Sequence, residues 1–201
     1  VLPLERALEF VKLRAKSMQA CAERHPGAMG AVLRLPASEV EEICAEFPGA
    51  AFPANYNCPG QTVVACAADV YPELEKRIAE RRGRMLRLNV SGAFHTPWMG
   101  DASRALAEFL ANEELSAPRV PLYANCTALP YGGDMTALLS RQVSEPVRWQ
   151  LSVENMVRAG VDRFVEVGAG ATLSGLIRKI APAAKVVNVE SPEDLQKLKE
   201  V

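Results

Sequence analysis

His95 stands in the run Val90-Ser91-Gly92-Ala93-Phe94-His95-Thr96-Pro97, just past an expected strand and ahead of a helix opened by proline. Imidazole is the side chain whose ordinary pKa lets it take and return a proton near neutral pH. A strand end feeding a loop gives such a ring a rigid support, and a junction between two lobes is where clefts form. The bland alternative is a buried, hydrogen-bonded ring with no role, and from residue type alone the two stand about equal. His25 precedes Pro26 in a polar turn and reads as a surface residue. With only two histidines, a His-based metal site is not expected.

Four other features could carry chemistry. Arg14 lies on an expected helix, where an arginine is usually solvated or paired; its functional use would be to grip a carboxylate with two parallel hydrogen bonds. Asn55 and Asn57 alternate along an expected strand and so should share a face, either as a wet cleft wall or as turn chemistry beside Pro59-Gly60. Gly168-Ala169-Gly170 follows a strand and opens a helix, a place where an anion can rest. The dinucleotide fingerprint fails there, because its last glycine is replaced by Leu173, and a tight turn is the better reading. Lys76, Arg77, Arg81, Arg82, Arg84 and Arg87 make a basic stretch diluted by Glu73, Glu75 and Glu80. A solvated helix face is the default for it, and an acidic protein partner the sharper option.

Hydrophobic periodicity supplies the elements that must position these residues. A helix is expected over 3–18, then a strand over 28–35, a helix from Pro36 with Val40, Ile43, Cys44 and Phe47 on one face, and two strands over 50–57 and 61–67. A helix over 70–82 and a strand over 84–90 complete a β-α-β-β-α-β unit, the ferredoxin-like pattern, across 27–90 with the strand order 4-1-3-2. The remainder alternates strands (120–125, 163–167, 185–189) with helices (97–115, 133–143, 146–160, 171–180, 192–200), which indicates a parallel sheet with covered faces. The expected fold is therefore α/β: a parallel-sheet core formed by 1–26 and 91–201, with the ferredoxin-like subdomain of 27–90 inserted in it.

The bulk numbers mainly exclude. Lys and Arg total 23 against 24 Asp and Glu, a balance that gives no reason to expect nucleic acid or an anionic membrane as partner. No stretch approaches the length of a membrane span. The five cysteines (Cys21, Cys44, Cys58, Cys66, Cys126) include no Cys-x-x-Cys pair and read as small core residues in a reducing compartment.

Five segments taken together resemble malonyl-CoA:acyl carrier protein transacylases: 11–19 (VKLRAKSMQ), 55–61 (NYNCPGQ), 90–99 (VSGAFHTPWM), 141–149 (RQVSEPVRW) and 165–170 (VEVGAG). They occur in the family's order over nearly the whole chain. The resemblance implies an α/β-hydrolase-like core with a ferredoxin-like insertion. It makes His95 the catalytic base and Gln142 the residue whose backbone carbonyl orients that ring. It makes Arg14 the anchor for the free malonyl carboxylate and Phe94 the mark of malonyl selectivity, with Asn55 and Asn57 as further substrate-binding candidates. The implied reaction moves malonyl from coenzyme A to a serine ester and on to the phosphopantetheine thiol of acyl carrier protein, in fatty acid biosynthesis. No metal or other cofactor is implied. The implied setting is cytoplasmic, the partners are acyl carrier protein and a coenzyme A thioester, and a monomer is expected.

One departure is large. The family's nucleophile lies in a Gly-His-Ser-x-Gly turn, and no Gly-x-Ser-x-Gly occurs in these 201 residues. The expectation is a chain entered after that turn, holding the base and the carboxylate anchor but not the serine. Ser91, four residues before His95 in extended chain, is too far to substitute. Two alternatives remain: an acyltransferase domain from a polyketide or fatty-acid synthase, and a non-catalytic remnant that binds carrier protein or coenzyme A.

Overall fold

The computed structural model describes residues 1–90 and 92–200. Helix α1 (Leu4–Arg24) opens it and runs six residues past the expected end, because Met18, Cys21 and Ala22 continue the buried stripe. It stops at His25, whose backbone is pushed out of the helical region by Pro26. Strand β1 (Gly27–Leu33), helix α2 (Ala37–Ala45), strands β2 (Ala51–Cys58) and β3 (Gln61–Ala67), helix α3 (Tyr71–Glu80) and strand β4 (Arg84–Arg87) follow in the expected sequence.

The four strands form one antiparallel sheet in the order β2-β3-β1-β4, the expected 4-1-3-2 read from the other edge. Alternation along the strands builds two layers. Ala28, Val32, Val64, Cys66 and Met85 meet Val40, Ile43 and Cys44 of α2 and Tyr71, Leu74 and Ile78 of α3, so both helices cover one face. Ile43, Leu74 and Ile78 are fully buried, each worth about 1.5–3 kcal/mol of apolar transfer. The other face, with Met29, Ala31, Val63 and Ala65, packs on Ala93, Phe94 and Trp98.

A single 3₁₀ turn at Pro97–Met99 leads into helix α4 (Gly100–Leu110), which packs along α1 through Phe10, Met18, Ala102, Leu106 and Leu110. Helices α5 (Met135–Arg141) and α6 (Trp149–Arg158) follow, then strand β5 (Arg163–Val167), helix α7 (Thr172–Ile180) and strand β6 (Lys185–Val189), with a closing 3₁₀ segment Pro192–Glu200 in place of the expected α-helix. Strands β5 and β6 pair in parallel, while α6 and α7 pack against β2.

The strand expected over 120–125 does not form. That segment turns back on itself: Ala124 N donates to Leu129 O at 2.9 Å and Tyr131 N to Leu122 O at 2.6 Å, leaving one isolated bridge between Tyr123 and Pro130. Pro121 removes one ladder donor, and among the described residues the only parallel ladder is β5–β6. The expected alternation of Asn55 and Asn57 also fails to hold in simple form. Register shifts fall between Pro53 and Asn55 and between Tyr56 and Cys58, so Asn57 is the extra residue of a bulge and the period of two is interrupted.

Candidate active site

The segment 92–96 is wedged between the sheet and α1. Gly27 and Gly92 permit this, since a β-carbon on Gly27 would meet that of Ala93 at 2.7 Å and one on Gly92 would meet that of Ala22 at 2.6 Å. Phe94 then reaches both the α1–α4 cluster and the cluster on the second face of the sheet. Thr96 is fully buried and its hydroxyl donates to Ala93 O at 2.7 Å, closing a tight loop around His95.

His95 sits in the left-handed region with φ +60°, a conformation a non-glycine residue holds only when its surroundings fix it. The fixing comes from residues 142–145. The His95 backbone N–H donates to Val143 O at 3.1 Å, and ring Nδ1 lies 2.9 Å from Gln142 O and 3.2 Å from Glu145 O. Two carbonyl acceptors require Nδ1 to carry the hydrogen, which leaves Nε2 as the basic atom. Burial is the main influence on the ring and lowers its pKa below the ordinary 6.5; the two carbonyls oppose that, and the nearby charge of Arg14 lowers it further.

Gln142 is itself held. It caps the C-terminus of α5, its side-chain amide donates to the Tyr131 hydroxyl, and its carbonyl also accepts from Asn125 Nδ2 at 3.1 Å. Arg14, half-buried on α1, makes no hydrogen bond or ion pair among the described residues, although it is close enough for its charge to act on His95. A half-buried guanidinium left unpaired is suited to an anion.

The structure therefore brings His95, Gln142, Phe94 and Arg14 together. Asn55 joins them through the backbone: it bridges Val147, with Tyr56 N donating to Val147 O and Val147 N to Ala54 O, each at 2.8 Å. Asn57 lies at the bulge toward the β2–β3 turn, and neither asparagine makes a side-chain hydrogen bond among the described residues. Ser91 lies outside the described residues.

Asn125 is the residue that sequence reasoning missed. A polar amide closing an apolar extended run was its only signal.

The glycine turn at 168–170 is not an open anion cradle. The Glu166 carboxylate already occupies the start of α7, accepting from Leu173 N at 2.9 Å and Ser174 N at 2.7 Å. Asn188 Nδ2 also donates to Gly170 O at 2.6 Å. Half of the basic stretch is paired with acidic side chains, through Arg77 with Glu46 and Glu80, Arg81 with Glu42, and Lys76 with Glu73. All five cysteines are free and buried. Among the described residues no group of three His, Cys, Asp or Glu is placed to hold a metal ion, and no helix is long and apolar enough to cross a membrane.

Comparison with known proteins gives a consistent result. No family model matches the chain. It is 39% identical over 183 residues to the polyketide biosynthesis protein ThaF of Burkholderia thailandensis, covering 89% of this chain and 15% of ThaF. It is 32% identical over 202 residues to the malonyl CoA-acyl carrier protein transacylase of Bacillus subtilis, covering 97% of this chain and 63% of that protein. The solved structure of MCAT from Streptococcus pneumoniae superposes with a TM-score of 0.92 at 37% identity, covering 99% of this chain and 67% of that one. The chain thus spans about two thirds of the length of these transacylases and has their α/β fold. It belongs to the malonyl-CoA:acyl carrier protein transacylase family.

Proposed function

We propose that these residues carry the base and the acyl anchor for malonyl transfer from coenzyme A to acyl carrier protein. In this reading His95 Nε2 takes the proton of a serine hydroxyl, and the serine oxygen attacks the thioester carbonyl. The C–S bond breaks, and the coenzyme A thiolate leaves with the proton from His95. The second half reverses the roles: the phosphopantetheine thiol gives its proton to His95, its sulfur attacks the malonyl ester, and the serine oxygen recovers the proton. Arg14 pairs with the distal carboxylate, Phe94 limits the space beside it, and Asn55 and Asn57 line the approach. The chemistry calls for no metal or cofactor. The serine belongs to a Gly-His-Ser-x-Gly turn absent from these 201 residues.

The observation that supports this reading best is the pairing of a histidine held through Nδ1 with an unpaired arginine close by. In architecture, we read 27–90 as a ferredoxin-like subdomain within a hydrolase-like core of 1–26 and 91–201, and the setting as cytoplasmic. A second reading, the same chemistry within a polyketide synthase, is favoured by the likeness to ThaF.

The test is intact-protein mass after incubation with malonyl-CoA. The 201-residue chain should gain no malonyl mass. The same chain preceded by a family segment carrying the Gly-His-Ser-x-Gly turn should gain one malonyl and pass it to carrier protein. An adduct on the chain alone would reveal an unrecognised nucleophile. No adduct on the extended chain would favour a non-catalytic binding role.

A further inference from the structure

We propose that Asn125 is a positioning residue for His95, acting through the one carbonyl oxygen that both side chains bond. The proposal rests on the reading of His95 as a base. Gln142 O accepts from His95 Nδ1 at 2.9 Å and from Asn125 Nδ2 at 3.1 Å. A carbonyl at a helix C-terminus has no intrahelical donor, so both of its lone pairs are open to such partners.

The orientation of the amide is fixed by chemistry: reversed, it would set oxygen against the Gln142 oxygen. The orientation carries a penalty, because Asn125 Oδ1 is then buried without a partner. The backbone does not need the side chain, since Asn125 O accepts from Arg148 N at 2.8 Å and Ala124 N donates to Leu129 O at 2.9 Å. An apolar residue of the same size would avoid the orphaned oxygen. What it would lose is the second donor to Gln142.

That donor selects between two acceptors. His95 Nδ1 has Glu145 O at 3.2 Å as an alternative to Gln142 O. With Asn125 in place, the Gln142 carbonyl is held toward the ring, and the imidazole is kept with Nδ1 protonated and Nε2 free. Without it, the carbonyl can swing, Nδ1–H meets its acceptors at poorer geometry, and the preference for the hydrogen on Nδ1 over Nε2 weakens.

The test is histidine ring NMR on the chain itself, labelled with ¹⁵N-histidine. Only His25 and His95 contribute, so His25 serves as an internal reference. The unsubstituted chain should show His95 as the Nδ1–H tautomer. In Asn125→Leu the Nε2–H tautomer should rise roughly threefold or more, while His25 stays unchanged. Asn125→Ser carries the same expectation and serves if the leucine variant fails to fold. Asn125→Gln, which keeps a donor amide, should restore part of the original ratio. Folded leucine and serine variants with the His95 tautomer unchanged would overturn the proposal and leave Asn125 as packing. An unsubstituted chain already in the Nε2–H form would instead defeat the reading of His95 as a base.

Discussion

Gly27, the first residue of β1, abuts Ala93: a β-carbon on Gly27 would lie 2.7 Å from the Ala93 β-carbon and 3.0 Å from its nitrogen. Neither atom belongs to a flexible side chain, so the contact transmits position from the sheet to the loop that presents His95. Gly27→Ala should lower stability by about 1–3 kcal/mol through overpacking, read as a fall in the urea midpoint. The same variant should shift the His95 ring resonances. A variant with both midpoint and His95 resonances unchanged would show the contact to be soft.

Removing the Arg14 guanidinium should raise the pKa of His95. Burial is the main cause of the depressed His95 value, and Arg14 adds to it. Arg14→Ala should therefore move the His95 titration upward without reaching the fully solvated value. In the extended transacylase, the same substitution should slow malonyl transfer far more than acetyl transfer, because only malonyl presents a second carboxylate. Equal losses for both acyl groups would remove Arg14 from its assigned place.

Stability should fall on mild acidification. The His95 pKa lies below its ordinary 6.5, so between that value and the lower folded one the unfolded chain binds more protons. The contribution is fully present above pH 6.5 and is lost as pH falls through this window. Urea unfolding at pH 7.5 and pH 5 should show the loss, and His95→Asn, which tolerates the left-handed backbone, should reduce it. An identical pH slope in both proteins would assign the effect to other groups.

Two thiols should be unreactive until the fold opens. Burial pushes Cys44 up to about 12 and Cys66 up to about 11, and both lie in the cluster between the sheet and its two helices. Alkylation at pH 8 should leave both unlabelled in the native chain and label both in denaturant, read by peptide mass. Rapid native labelling of either would mean that α2 or α3 lifts from the sheet.

Most of the antiparallel sheet was legible because its strands alternate and its turns carry proline and glycine, as at Pro59-Gly60. The Gln142 carbonyl was reachable only by resemblance, since no spacing rule joins residues 47 apart. Segment 120–125 looked like a strand because local pattern registers β-propensity but not whether a neighbour is present to pair with. The bulges in β2 were hidden for a related reason: the extra residues Ala54 and Asn57 show only against the partner strand, not in any period of their own strand. Asn125 escaped notice because its importance lies in which oxygen its amide meets.

Seven residues, 142–148, bind three distant parts of the chain at once. Their carbonyls hold His95, Val147 pairs with Ala54 and Tyr56, and the Arg148 N–H meets Asn125 O. The Val147 contacts close a loop of about ninety residues, so their entropic cost must be met before they contribute. The four-stranded sheet, by contrast, closes within 27–87. In refolding, the sheet should gain exchange protection first, and the amides of His95, Val147 and Arg148 should follow together. The site is then a late event in the life of the folding chain, and a nascent molecule can be well structured for some time before its histidine faces the right way.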